Sequence, residues 1–164
     1  KTIKLWSSNC KIEMSNDEKN NLKLIGKNEE DLKIISAYLQ DGIVFVKNVI
    51  FLKKNRTFIM ILNRFMWEDV EKGVFRQNKR VRCALKFEEV TKVQSKNINQ
   101  KNKNKPLEYL AIKSSLISDN IFKIKIFFSG GGIITIISEV IEVTMSDLGK
   151  PWNVKYFPAH KLEY

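Results

Sequence analysis

The spacing of hydrophobic positions changes along this chain, and the changes mark its elements. Between Asn28 and Gly42, Leu32, Ile35 and Leu39 recur three and four residues apart, flanked by Ile34 and Tyr38. That stripe is one face of an α-helix. Asn28 stands where a side-chain oxygen can accept from the first free N–H groups. Glu29, Glu30 and Asp31 fill the first turn, where the helix dipole favours negative charge. Asp41 and Gly42 close the segment. The pattern predicts a helix near 29–40, preceded by a short strand at 22–25 that ends at Gly26.

After Gly42 the period falls to two. Residues 43–68 are dense in β-branched and aromatic side chains, with polar breaks at Lys47-Asn48 and at 53–56. They predict a meander of three strands near 43–46, 49–52 and 57–66. Residues 69–80 read as a loop. Val81, Cys83, Leu85 and Phe87 then alternate with polar or small residues, so Arg80, Arg82 and Lys86 project from the opposite face of that strand. The tract 97–105 is a second loop, closed by Pro106. Strands are expected at 107–117, 121–128 and 132–145. Residues 139–148 also fit helical spacing, and strand is the favoured reading.

Three consecutive glycines, Gly130 to Gly132, raise the question of a phosphate cradle. Such a loop needs a helix behind it, whose N–H groups hold the anion. Here "IITIIS" follows, a poor helix opening and a good strand opening. The segment 121–138 is therefore read as a β-hairpin whose turn uses positive φ at glycine.

One helix and seven or eight strands, without strand–helix–strand alternation, define an α+β class that is mainly antiparallel β. So many strands in a short chain curl to hide their edges, in a curled sheet or barrel. A pleckstrin-homology-like barrel is one version.

The 164 residues suit one domain. The division expected is a leader, tag or disordered extension over 1–13, a domain over 14–152 and a tail over 153–164. Met14 reads as a natural start. No apolar run approaches the length of a membrane span. Cys10 and Cys83 form no CxxC and have no histidine beside them. They read as reduced thiols, and the cytoplasm as the address. The single histidine, His160, rules out a multi-histidine metal site. The acids Glu68, Asp69 and Glu71 read as a solvated face. No cofactor, metal or catalytic motif is visible, so an enzyme is the least favoured class.

Charge adds a candidate interface. The net charge is +11. Between Arg76 and Lys105 lie ten basic residues against two acids, and all five arginines fall between 56 and 82. A localised basic surface is the footprint of a polyanion. Arg76, Arg80, Arg82 and Lys86 are the candidate phosphate contacts, with Phe75 or Trp67 available to stack. Lys/Asn/Ile-rich composition gives a competing account of the lysines as drift in solvated loops. Arg64 interrupts an apolar run in "LNRFMWE". One reading puts Arg64 and Trp67 at the rim of a binding surface; the other puts Arg64 on the outer face of its strand, paired with Glu68.

The stretches "LKLIGKNEEDLKIISAYLQDGIV" (22–44), "FIMILNRFMWE" (58–68), "RVRCALKFEEVTKVQSKNI" (80–98) and "FFSGGGIITIISEVIEVTMSDLGKPW" (127–152) together resemble the bacterial domain-of-unknown-function family 2948. The resemblance implies a single cytoplasmic domain with no established activity, cofactor or partner. It carries no catalytic residue over. The expected function is a non-catalytic protein-interaction or adaptor module. The alternatives are RNA binding through 76–105 and an enzyme with an unrecognised site.

Overall fold

The computed structural model describes residues 2–4, 11–13, 21–68, 78–155 and 158. Phe75, Arg76, Asp69, Glu71, Cys10, Met14 and His160, named above, lie outside them. No helix among the described residues is long and apolar enough to cross a membrane.

The helix forms where its stripe places it. α1 spans Glu29–Tyr38, and the Asn28 side chain accepts from the Asp31 N–H at 2.8 Å. The Asp31 carboxylate in turn accepts from the Lys27 N–H at 3.0 Å, so side chains satisfy donors at both sides of the cap. Leu32, Ile35 and Leu39 are buried, and the helix packs on β3 (Lys23–Gly26) and β8 (Pro106–Ser118). Asp41, at φ 61°, turns the chain out of it.

Apart from 3-10 turns at Lys53–Asn55 and Ser129–Gly131, the other regular elements among the described residues are strands. β1 (Thr2–Lys4) and β2 (Lys11–Glu13) are short and lie within the segment set aside as an extension. β4 is Ile43–Leu52, β5 Thr57–Phe65, β6 Lys79–Phe87 and β7 Val90–Lys96. β9 is Ile121–Phe128, β10 Ile133–Ser138 and β11 Val143–Asn153. They make one 11-stranded sheet in the order β1-β2-β3-β11-β6-β5-β4-β8-β9-β10-β7. Neighbouring strands pair antiparallel throughout, as in β5 against β6 (Leu62 opposite Cys83) and β9 against β10 (Ile126 opposite Ile134). The fold is α+β and mainly antiparallel, and the curled sheet does not close into a barrel.

The strand count exceeds the seven or eight expected because β1, β2 and β7 are added and the expected strand 132–145 divides into β10 and β11, although one expected pair merges. Lys47-Asn48 is no turn: the register of β4 against β5 shifts between Val44 and Val49, so a bulge joins what reads as two strands. β7 escapes notice because only Val90 in it is buried. A strand with most side chains in water lacks the apolar alternation that betrays its neighbours. In the ambiguous stretch 139–148, residues 143–148 are strand, but 139–142 are a bend outside any strand, so the single strand expected over 132–145 is broken into β10 and β11.

The glycine turn is a hairpin as expected. Ile133 pairs with Phe127, and Gly130 and Gly131 sit at φ 80° and 82°. β8 is the long strand that bends the sheet. Leu107 pairs with Val44 of β4, while residues from Tyr109 onward pair with β9. The second half of the sheet thereby folds over the first, and inward side chains of both halves form one core. Phe58, Met60, Leu85 and Phe87 meet Ile124, Ile126, Ile134 and Ile136 there. At one corner the halves join directly. Glu88 and Glu89 carry the chain from β6 into β7, and the Val90 N–H donates to the Arg56 carbonyl at 2.8 Å.

Candidate functional site

The arginines divide between the two faces of the sheet. Arg64 pairs in register with Val81, and Arg82 with Asn63. Val81 faces the core, so Arg64 does too, while Arg82 points outward and is exposed. Arg64 is wholly buried. Its Nε and Nη2 donate to Asp147 Oδ1 and Oδ2, each at 2.7 Å. Nη2 and Nη1 donate to Glu68 Oε1 and Oε2 at 2.6 and 2.9 Å, and Nη1 reaches the Phe65 carbonyl at 3.4 Å. These bonds account for all five donors of a guanidinium. The guanidinium also lies 5.9 Å from the Tyr38 ring. Burial alone would lower its pKa, but the two carboxylates more than offset that and raise it. The pairing with Glu68 agrees with one sequence reading; the inward face agrees with neither. Arg64 spends its donors inside the chain, so what it can do chemically is hold β5, β11 and Glu68, just past β5, together.

Trp67 is half-buried. Its Nε1 donates to the Gln40 carbonyl at 2.8 Å, and its ring lies 4.7 Å from that of Phe65. Arg80 joins the same outer cluster. Its Nη1 donates to the carbonyls of Asp41 and Asn63 at 3.0 and 3.1 Å, and its guanidinium lies over the Phe65 ring. Burial lowers the Arg80 pKa, against the opposing charges of Asp41 and Glu108. Lys86 is exposed and paired with Glu88 at 2.5 Å. Arg80, Arg82 and Lys86 thus share one face as the alternation requires, but Arg80 is tied down and Lys86 is paired. The structure does not gather Arg64 with them.

What the structure does assemble is a cleft of about 490 Å³ between the two halves of the sheet. β4 pairs with β8 only through Ile43, Val44 and Phe45, then diverges from it. Among the described residues β7 pairs with β10 alone. The edge of β7 and the second half of β4 therefore face each other across a gap that no described strand fills. Phe58, Leu107 and Ile134 form the floor, with Val49, Phe51, Val93 and Ile98 on the walls. Lys47, Gln94, Ser95, Gln100 and Lys103 supply the polar lining.

The loop 97–105 builds one wall and is pinned in place. The N–H groups of Val46 and Lys47 donate to the carbonyls of Lys105 and Lys103. Asn97 Nδ2 donates to the Gly131 carbonyl at 3.1 Å, and Gln100 Nε2 to Ser95 Oγ at 2.7 Å. The cleft escapes sequence reasoning because its walls lie some 45 residues apart in the chain and its floor reads as ordinary core. The acid-poor character of 90–105 is the only signal in the sequence that points toward it.

A model of the family described as protein of unknown function (DUF2948) matches residues 22–160. The chain belongs to this family. No curated protein and no solved structure matches it. The DUF2948 match covers β3 through β11 and so contains both walls and the floor of the cleft.

Proposed function

We propose that this protein is a non-catalytic interaction module that receives an extended segment of a partner protein in the cleft between β7 and β4. The observation that carries the reading is the edge of β7, unpaired by any described strand, which borders a cleft with an apolar floor and polar walls. An unpaired strand edge offers a row of N–H and C=O groups to an incoming chain, and a neighbouring cavity accepts its alternate side chains. The described residues lining the cleft include no Asp, Glu, His or Cys, so they provide neither a general base nor a thiol nucleophile. That composition favours recognition over chemistry.

The test is a selection of displayed random peptides against the purified chain, followed by amide exchange on the winners. Extended peptides that slow exchange at 93–96 are the expected outcome. Winners that protect only the β6 face or α1 would overturn the reading.

RNA binding is the second reading, supported by eight lysines and no acid within 43–55 and 90–105. It predicts retention of an oligonucleotide that falls steeply with salt.

A further inference from the structure

Two independent features of the cleft point to the chemistry of its occupant. The first is charge. The segments that wall it, 43–55 and 90–105, carry Lys47, Lys53, Lys54, Lys92, Lys96, Lys101, Lys103 and Lys105 and no Asp or Glu. The acids that border β7 are already engaged: Glu88 with Lys86, and Glu89 with Arg56 at 3.2 Å. The second is the register of β7. Val93 and Ser95 lie opposite Ile136 and Ile134, which face the core, so they share that inward face. Lys92, Gln94 and Lys96 lie opposite Ile137, Thr135 and Ile133 on the outward face. The β7 edge thus presents cations at two of its three outward positions, Lys92 and Lys96, beside a cavity with an apolar floor.

We infer that the occupant is an extended segment with acidic residues at every second position and small apolar residues between them, docked as a strand on the free edge of β7. This rests on the interaction-module reading above and names the partner's chemistry. Side chains of a paired strand alternate between faces, so one set enters the cleft over Phe58, Leu107 and Ile134 while the other stands beside Lys92 and Lys96. Five to seven residues suffice, since β7 itself has seven. A second copy of this chain does not fit, because it would set lysines against lysines. RNA fits less well, because a phosphodiester chain has no apolar side chain for the floor. The two aromatic rings of the lining, Phe51 and Phe58, are packed into the core instead of standing free to stack bases.

The experiment uses the full chain and four fluorescent probes. They are a heptapeptide alternating Asp and Val, the same composition with its aspartates grouped together, an alternating Ser/Val peptide, and an oligouridylate. Binding is read by anisotropy at low and moderate salt. The alternating acidic peptide is expected to bind best and to protect the amides of Val93–Lys96. The double charge reversal Lys92→Glu/Lys96→Glu should weaken it by about tenfold or more. Both lysines are exposed, so the fold should persist, as circular dichroism can verify. The same variant should gain affinity for an alternating Lys/Val peptide, which a misfolded variant could not do.

Equal binding of the Ser/Val peptide would overturn the acidic preference and leave the interaction module standing. Equal binding of the grouped-acid peptide would overturn the strand register and reduce the contact to diffuse charge. Binding of the oligouridylate alone would overturn both proposals.

Discussion

At Arg64, five N–H donors meet two carboxylates and a carbonyl; the guanidinium and Asp147 are closed to water, and Glu68 is partly exposed. A buried charge network of this kind adds little over a well-packed apolar core, but removing one member leaves the others charged and unpaired. Arg64→Ala should therefore cost about 3–5 kcal/mol in urea unfolding. Arg64→Lys should recover only part of that, because an ammonium cannot engage both carboxylates side-on. Arg82→Ala, on the exposed face one ladder position away, should change stability by less than about 0.5 kcal/mol. Equal effects at the two positions would show that the inward placement of Arg64 is wrong.

Cys83 makes a second case at this scale. Its thiol is fully buried between Leu62 of β5 and Asp147 of β11. Burial, then the Asp147 charge, push its pKa well above the ordinary 9.0. The native thiol should resist alkylation at pH 8 and react once denatured, which mass mapping of the modified cysteine can read. The same shift has a consequence for stability. Above pH 9 the unfolded thiol releases its proton while the folded one keeps it, so the unfolded state binds fewer protons and stability falls as pH rises. Cys83→Ala should be less stable at neutral pH, because it leaves a cavity, yet lose less of its stability between pH 8 and 10 than the parent.

At the scale of elements, the β9–β10 turn isolates backbone strain from packing. Gly130 sits at φ 80°, and a Cβ added there would meet nothing within 4 Å. Gly130→Ala should cost about 1–2 kcal/mol from conformation alone. Gly130→Asn should cost less, since asparagine tolerates the left-handed region better. Thermal denaturation of the pair decides it: if alanine and asparagine are equivalent, the turn does not keep its positive φ. The cap of α1 is the other clean element test. Asn28→Ala removes the acceptor for the Asp31 N–H and should lower stability by about 1 kcal/mol.

For the whole molecule, the order of strands sets a gradient of protection. β5 and β6 sit inside the sheet with partners on both sides, and their inward residues are fully buried. β7 has one partner and an exposed outer face. Native-state hydrogen exchange should be slowest at Met60–Leu62 and Cys83–Leu85 and fastest, among paired strands between β3 and β11, along β7. A β7 as protected as β6 would mean that its edge is already covered, and the cleft would no longer be a place for a partner to dock.

Much of this architecture is local and so was written along the chain. The stripe Leu32–Ile35–Leu39 and the Asn28 cap define α1 without help from any other segment. The alternation at 81–87 assigns both faces of β6, and the apolar runs around Gly130 to Gly132 require the hairpin. In each case the determining residues lie within a few positions of one another. Tertiary structure alone decided the rest. A lone arginine in an apolar run cannot declare its face, because what allows Arg64 to be buried is Asp147, 83 residues later. β7 could not announce itself as a strand, because the partner that makes it one is β10, some 40 residues away. The cleft exists because β8 turns away from β4 and bends the sheet. A gap between two strand edges is a relation between distant backbones, and no pattern of side chains along either strand encodes it.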